Sequence, residues 1–189
     1  MVGMRTLTTL LAGILIFTVT TMGAEKPSYI RARGGPTGAG LFVDGNYIGP
    51  AGRFTVPEKY AIQPGEHEIA LKDPRYEDYT TKVSVQPGKT TKIHYKLKKL
   101  TPPKGPFGRV RFGGDGDESF ISIAAGDTGP VYVNEKFAGF IDELNNARGG
   151  MLIPPGTYTI RAESKKYGVI TRTVTVEANK VTVIPLEKK

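Results

Sequence analysis

Leu41-Phe-Val-Asp-Gly-Asn-Tyr-Ile-Gly49 and Val131-Tyr-Val-Asn-Glu-Lys-Phe-Ala-Gly139 are two versions of one segment, separated by about 90 residues of chain. In each version, two apolar runs flank a central pair of polar or small residues, which is Asp44-Gly45 in the first and Asn134-Glu135 in the second. Asp-Gly between apolar runs favours a two-residue β-hairpin, because both turn residues must adopt positive φ. The sequence therefore predicts a duplicated hairpin.

The duplication continues downstream with a change of one residue in spacing. Ile62-Gln-Pro-Gly-Glu-His-Glu-Ile69 corresponds to Ile153-Pro-Pro-Gly-Thr-Tyr-Thr-Ile160, and residues 76–85 correspond to residues 167–176. Between the two copies lies Leu100-Thr-Pro-Pro-Lys-Gly-Pro106, whose prolines cannot donate hydrogen bonds to a strand neighbour. We therefore predict two domains, at residues 25–100 and 107–189, joined by a Pro-rich linker at residues 101–106.

Within each copy, apolar side chains recur at every second position. Residues 79–85 and 91–97 show this alternation in the first copy, and residues 170–176 show it in the second. The pattern is typical of antiparallel strands that bury one face. Pro64-Gly65 and Pro155-Gly156 are predicted to be type II turns between such strands. The predicted fold class is therefore all-β, with a small antiparallel β-sandwich in each copy.

One segment of the second copy departs from the β pattern. Residues 140–150 contain helix formers followed by two glycines, which predicts one short helix. The corresponding residues 50–57 of the first copy are predicted to form an irregular loop. Because binding sites often lie in loops on a rigid scaffold, we consider a ligand site at Tyr47, Arg53 and Tyr60.

The amino-terminal residues have the layout of a secretory signal peptide. Arg5 precedes an apolar run, Leu10–Val19, and small or polar residues follow this run as far as Ala24. A bilayer-spanning helix needs about 20 apolar residues, so this run is too short. We predict a signal peptide at residues 1–24, cleaved after Gly23 or Ala24, and a retained amino-terminal anchor is the alternative. The mature chain is predicted to have no transmembrane span and to be secreted, periplasmic or at the cell surface.

The first copy resembles the PEGA domain, a small module of exported and surface-associated proteins of bacteria and archaea. The resemblance covers residues 28–98 and rests on Phe42-Val-Asp-Gly-Asn-Tyr-Ile-Gly49, Gln63-Pro-Gly-Glu-His-Glu-Ile69 and Arg75-Tyr-Glu-Asp-Tyr79. Residues 119–187 resemble the family less closely, since Asn134-Glu135 replaces the Asp-Gly pair. The motif consists of turn and strand residues, so the resemblance implies a fold and an envelope location and carries over no catalytic residue.

The composition provides little material for catalysis or metal binding. The 189 residues include no Cys and only two His, which are His67 and His94. Two pairs of carboxylates are predicted to be solvated surface rather than catalytic acids: Glu66 with Glu68, and Asp142 with Glu143. A glycine-rich hairpin tip is the preferred interpretation of three acidic residues that could otherwise bind calcium: Asp115, Asp117 and Glu118. We predict that the protein is not an enzyme and uses no cofactor.

The net charge of +8 points towards an anionic partner. Between Lys89 and Arg111, basic residues occur without any acidic residue. We expect weak polyanion binding by a basic stripe that consists of Lys92, Lys96, Lys98, Lys99, Lys104, Arg109 and Arg111. A solvated surface that only keeps the protein soluble is the alternative. A nucleic acid is not the expected partner, because the chain has no recognised nucleic-acid motif and no basic helix.

Two functions remain open at this point. The first is a non-catalytic structural or adhesive binding module of the cell envelope, which contacts another protein or an anionic wall polysaccharide. The second is a soluble carbohydrate-binding accessory protein, whose sugar site would use aromatic platforms. Because the chain has no Trp, Tyr47 and Tyr60 are the candidates for such a platform.

Overall fold

The structure, a computed structural model, describes residues 26–113, 126–146 and 150–186. Unit 1 contains β1 (Ser28–Gly35), β2 (Gly40–Val43), β3 (Asn46–Pro50), a 3-10 helix (Ala51–Phe54), β4 (Tyr60–Ile62), β5 (Gly65–Lys72), β6 (Tyr79–Val85) and β7 (Thr90–Lys96). Unit 2 contains β8 (Gly108–Gly113), β9 (Pro130–Val133), β10 (Lys136–Phe140), helix α1 (Ile141–Asn146), β11 (Met151–Ile153), β12 (Gly156–Ser164), β13 (Gly168–Val176) and β14 (Val181–Pro185). The predicted linker lies between β7 and β8. The predicted signal peptide and the acidic residues at 115, 117 and 118 lie outside the described residues.

Each unit is a sandwich of one four-stranded and one three-stranded sheet. The orders are β3-β2-β5-β6 and β4-β1-β7 in unit 1, and β10-β9-β12-β13 and β11-β8-β14 in unit 2. The two units therefore share one strand order, position by position. The predicted all-β class, the two small sandwich units and the short helix in the second unit are confirmed.

Apolar side chains from both sheets of a unit meet in its core. In unit 1, Ile30 from the three-stranded sheet and Leu41 and Ile69 from the four-stranded sheet are fully buried. In unit 2, Phe112 and Ile160 have equivalent roles. The alternation predicted for the strands is observed in β7, where Thr91 is half-buried, Ile93 and Tyr95 are buried, and the residues between them are exposed.

One strand pairing differs from the predicted antiparallel arrangement. The last strand of each unit lies parallel to the first, β7 beside β1 and β14 beside β8. Parallel neighbours need a long crossover connection, and the intervening strands of the unit provide it. Alternation of side chains indicates which face of a strand is buried but not which strand lies beside it, so the sequence did not predict this pairing.

The hairpin turns have the backbone conformation that the sequence predicts. Asp44 and Gly45 have φ of 49° and 80°, and Asn134 and Glu135 have φ of 47° and 62°. The predicted type II turns at Pro64-Gly65 and Pro155-Gly156 are wrong. Gly65 and Gly156 are the first residues of β5 and β12 and have φ of 137° and 157°, whereas a type II turn requires about 80° at this position.

The predicted irregular loop at residues 50–57 is also wrong in part, because Ala51–Phe54 forms a 3-10 helix at the position that α1 occupies in unit 2. Both helices start in the same way, with two amides that donate to carbonyl oxygens ahead of the preceding hairpin. In unit 1, the amide of Ala51 donates to the carbonyl of Ala39 and the amide of Gly52 to that of Thr37. In unit 2, the amide of Ile141 donates to the carbonyl of Gly129 and the amide of Asp142 to that of Asp127. The duplicated backbone therefore imposes a helical turn on a segment with weak helix propensity.

Candidate functional site

The structure divides the predicted basic stripe among three places. Two of its members are exposed on β7: Lys92 and Lys96. Three are exposed in the segment that follows β7: Lys98, Lys99 and Lys104. Two are half-buried on β8 of unit 2: Arg109 and Arg111. Lys98 is also engaged locally, because its Nζ lies 2.8 Å from Glu77 Oε1. The stripe is therefore not one continuous surface.

The parallel pairing of β1 with β7 adds two arginines that the sequence analysis missed. Arg31 lies opposite Lys92, and Arg33 lies opposite His94. Successive residues of a strand point to opposite faces. Because Ile30 and its equivalents along both strands point into the core, the basic side chains share the outer face of the three-stranded sheet. We call this surface the basic face; it consists of Arg31, Arg33, Lys92, His94 and Lys96.

Within the described residues, the basic face carries no acidic side chain. Its other outward positions on the three strands are occupied by Tyr29, Ala61 and Thr90. The members Arg33, Lys92 and Lys96 are exposed, and none of them forms an ion pair with another part of the chain that the structure describes. Lys59 adds a further positive charge at the margin, with its Nζ 3.5 Å from the centre of the Tyr29 ring.

Arg31 is half-buried at the centre of this surface, and its guanidinium has a buried hydrogen-bond donor that lacks an acceptor among the described residues. Its Nη2 donates to the carbonyl oxygen of Pro57 at 3.3 Å. Its Nε–H is buried and has no hydrogen-bond partner among the described residues. A buried donor without an acceptor is costly. The basic face therefore contains a donor that an additional acceptor would satisfy.

Tyr47, a candidate sugar platform, instead packs between the two units. Its hydroxyl donates to the carbonyl oxygen of Thr128 at 3.0 Å, and its ring centre lies 5.5 Å from that of Phe137. Burial raises the pKa of Tyr47, because the phenolate would lose its hydration. The hydroxyl therefore remains a donor in this contact.

The same contact joins equivalent hairpins of the two units. Phe42 and Tyr47 are cross-strand partners in the β2–β3 hairpin, as Tyr132 and Phe137 are in the β9–β10 hairpin. The ring of Phe137 lies 5.3 Å from that of Phe42 and 6.1 Å from that of Tyr132, both in edge-to-face geometry. We call these four rings the aromatic contact. It uses the same two positions of each repeat.

Arg75 adds an ionic contact between the units. Its Nε and Nη2 lie 2.8 and 2.7 Å from the two carboxylate oxygens of Asp73, whose side chain is 1% exposed. The same Nη2 lies 2.9 Å from Oε1 of Glu143 in α1. Glu143 was predicted to be solvated surface, and that prediction is wrong. Burial raises the pKa of Glu143, while Arg75 acts in the opposite direction.

Arg53 and Tyr60 do not join Tyr47 in one site. Arg53 Nε lies 2.7 Å from Glu58 Oε2, in an exposed ion pair. Tyr60 packs edge-on against Phe54, with 6.0 Å between the ring centres. Each of the three residues thus has its own local partner, and they do not form a common ligand surface.

One known family matches unit 1. The family description that matches is "PEGA domain", over residues 28–101. Residues 28–101 are a PEGA domain. All strands of unit 1 lie within this range. PEGA domains are typically extracellular or periplasmic.

No curated protein matches the chain. Among solved structures, "The Bacillus anthracis TIE protein" is similar over 86% of this chain and 34% of its own chain, with 15% identity and a TM-score of 0.27. The chain thus spans about a third of that protein's length. The function of the chain must therefore be argued from the PEGA domain and from the side chains of the two units.

The surface of unit 2 that corresponds to the basic face of the PEGA domain has a different character. Its arginines, Arg109 and Arg111, lie beside exposed aliphatic side chains of the two neighbouring strands. These are Leu152, Val181 and Val183, with exposed fractions of 54%, 49% and 39%. The continuous row of basic side chains is thus a property of the PEGA domain.

Residues 26–113, 126–146 and 150–186 contain no group of three or more His, Asp and Glu side chains arranged to hold a metal ion. No helix in the same ranges has the length and hydropathy needed to cross a bilayer.

Proposed function

We propose that the protein is a non-catalytic binding module of the cell envelope, and that the basic face of its PEGA domain binds an anionic polysaccharide. The observation that carries this proposal is the parallel β1–β7 pair, which aligns Arg31 and Arg33 with Lys92, His94 and Lys96. No acidic side chain interrupts these rows in the part of the sheet that the structure describes.

The geometry of the basic face suits a polymer with repeated negative charges. Alternate residues on one strand are about 6.6–6.8 Å apart, and neighbouring strands are about 4.8 Å apart. The face therefore presents two adjacent rows of positive charge on a rigid support. Exposed charges attract an anion weakly and are screened by salt over about 8 Å at physiological ionic strength. Binding by such a surface is weak per contact, depends on several contacts and is sensitive to salt.

The location in this proposal has two supports. PEGA domains are typically extracellular or periplasmic, and the amino-terminal sequence has the layout of a signal peptide. A non-catalytic role is in keeping with the partners of the ionisable residues, since Asp73 and Glu143 both bind Arg75 and the Arg75–Glu143 pair joins the two units.

The binding proposal is tested by two triple variants that remove the same charge. One carries Arg33→Gln, Lys92→Gln and Lys96→Gln on the basic face. The matched control carries Lys82→Gln, Lys99→Gln and Lys104→Gln, three exposed residues outside it. Affinity for heparin and for polygalacturonate, measured at several salt concentrations, should fall on the order of tenfold in the first variant. Neutral dextran should bind neither protein.

The control variant should retain most of the affinity and should show a salt dependence close to that of the unaltered chain. Equal losses in the two triple variants would show that net charge alone drives binding, and the basic face would then have no particular role. Thermal melting of each variant checks that the substitutions leave the fold intact.

Export is tested separately. We expect protein isolated from its native host to begin at residue 24 or 25, because the apolar run at the amino terminus is too short for a stable transmembrane helix. Amino-terminal sequencing of the extracellular and periplasmic fractions measures this directly. Recovery of the chain with Met1 in the cytoplasmic fraction would contradict the proposed location.

A further inference from the structure

His67 of β5 lies between two groups that act as hydrogen-bond acceptors. Its Nδ1 lies 2.7 Å from Asp44 Oδ2, and its Nε2 lies 2.9 Å from the carbonyl oxygen of Gln63. A backbone carbonyl oxygen and an ionised carboxylate can accept hydrogen bonds but cannot donate them. A neutral imidazole has one N–H, so it can satisfy only one of the two contacts. Both contacts are hydrogen bonds only when His67 is protonated.

The acceptor Asp44 controls the conformation of the β2–β3 hairpin. It is the first turn residue and has a φ of 49°, which is unfavourable for a residue other than glycine. Its Oδ1 accepts from the amide of Glu68 at 2.9 Å, and its own amide donates to the Glu68 carbonyl at 2.9 Å. The turn is therefore tied to β5 through Asp44, and His67 binds the remaining carboxylate oxygen.

This hairpin carries one half of the aromatic contact between the units. Phe42 lies two residues before Asp44, and Tyr47 lies three residues after it. We propose that protonated His67 clamps the β2–β3 hairpin, so that the contact between the two units weakens as the pH rises. The clamp would make the coupling of the PEGA domain to unit 2 depend on the pH outside the cell, where the proposed function places the protein.

Unit 2 contains the same arrangement without a titratable histidine. Tyr158 occupies the position of His67, and its hydroxyl donates to the carbonyl oxygen of Pro154 at 3.0 Å. Asn134 occupies the position of Asp44, and its Oδ1 accepts from the amide of Thr159 at 2.9 Å. These bonds involve neutral groups near neutral pH. The duplicated fold thus provides an equivalent hairpin that keeps these two bonds without a titratable histidine.

The direction of the pH effect follows from the charges around the imidazole. The hydrogen bond that His67 donates to Asp44 raises the pKa of His67 above its usual 6.5 and lowers the pKa of Asp44 below its usual 3.8. Lys26 and Tyr60 line the same cleft as His67. Glu66 and Glu68 flank it in sequence on the opposite face of β5, and its partner on β6 is the uncharged Val83.

When the pKa of a histidine is higher in the folded protein than in the unfolded chain, protonation stabilises the fold. This stabilisation is complete at a pH below the unfolded-state pKa and is lost as the pH rises through the folded-state pKa. The stabilisation that the ionised carboxylate of Asp44 contributes is present when the pH is above the pKa of Asp44 in the unfolded chain. The clamp is therefore complete from about pH 4 to about pH 6.5 and opens at higher pH.

The test uses the full chain with His94→Gln, which leaves His67 as the single histidine. NMR titration of the ring nitrogens between pH 5 and 9 should show both nitrogens protonated at low pH and a midpoint above 6.5. The amide of Thr128 and the ring of Phe137, both in unit 2, should shift with the same midpoint. The melting temperature should fall by about 2–4 °C across this midpoint.

The control is the double variant Asp44→Asn and His67→Tyr, which copies the arrangement of unit 2. Its melting temperature and its Thr128 and Phe137 signals should stay constant over the range in which His67 titrates. A midpoint at or below 6.5 would overturn the clamp, and so would Thr128 and Phe137 signals that do not follow His67. These results do not depend on polysaccharide binding, so the proposed function can fail or stand independently of them.

Discussion

Replacing Arg75 with Ala should lower the free energy of unfolding by about 3 kcal/mol. The guanidinium binds both oxygens of the buried Asp73 carboxylate and one oxygen of Glu143. Its removal leaves Asp73 with the amide of residue 75 as its remaining partner for those oxygens among the described residues. A buried carboxylate that loses its cation is costly because water cannot replace the lost interactions. Urea denaturation of the full chain measures the change.

Lys98→Ala is the matched control for this variant. It breaks a cation–carboxylate pair of similar length, 2.8 Å, in which both side chains are well exposed. Such pairs contribute about 0.2–1 kcal/mol, so the control should unfold almost as the unaltered chain does. If Arg75→Ala were no more destabilising than Lys98→Ala, the bond of Arg75 to the buried Asp73 would contribute no more than an exposed ion pair.

Replacing Phe137 with Ala should cost about 3 kcal/mol and should separate the unfolding of the two units. The ring touches three other aromatic rings in the contact between the units. It also lies so close to Gly40 that a Cβ added there would be 2.6 Å from its Cζ. Truncation leaves a cavity among the three remaining rings of the aromatic contact, so the units lose much of their coupling.

Differential scanning calorimetry of the full chain distinguishes these outcomes. The unaltered protein should show one transition, because each sandwich is only marginally stable alone and the contact between the units couples their unfolding. Phe137→Ala should show two. Val169→Ala, at an apolar position of β13 that is 60% exposed, should leave one transition at an unchanged temperature. A single unshifted transition in Phe137→Ala would show that the aromatic contact does not couple the units.

Local features of this fold could be predicted because they depend on neighbouring residues. Alternation identified the buried side of β7, and the Asp44-Gly45 pair identified the hairpin turn, since φ preferences act within one or two residues. The duplicated segment identified two units of equal architecture. The helix in unit 2 followed from composition. The 3-10 helix at Ala51–Phe54 did not, because its first two amides donate to the carbonyl oxygens of residues 39 and 37, which lie outside the segment.

The candidate site was only half predictable for a related reason. Lys92 and Lys96 were placed on an outer face by alternation, but Arg31 and Arg33 lie about 60 residues earlier in the chain. They join the lysines through the parallel pairing of the first and last strands, which no short-range pattern encodes. Tyr47 was misjudged because an aromatic residue beside a turn suggests an exposed platform. Here the partner that covers it is the equivalent hairpin of the other repeat.

The parallel pairing of the first and last strands also determines how each unit responds to mechanical load. A pull on the two ends of unit 1 acts on the start of β1 and the end of β7, which lie at opposite ends of their shared ladder. The force then shears all the hydrogen bonds between Tyr29–Gly35 and Thr90–Lys96 together instead of opening them one at a time. The ladder of unit 2 is shorter, joining Arg109–Gly113 to Val181–Pro185. Under tension along the chain, unit 2 should therefore yield before the PEGA domain.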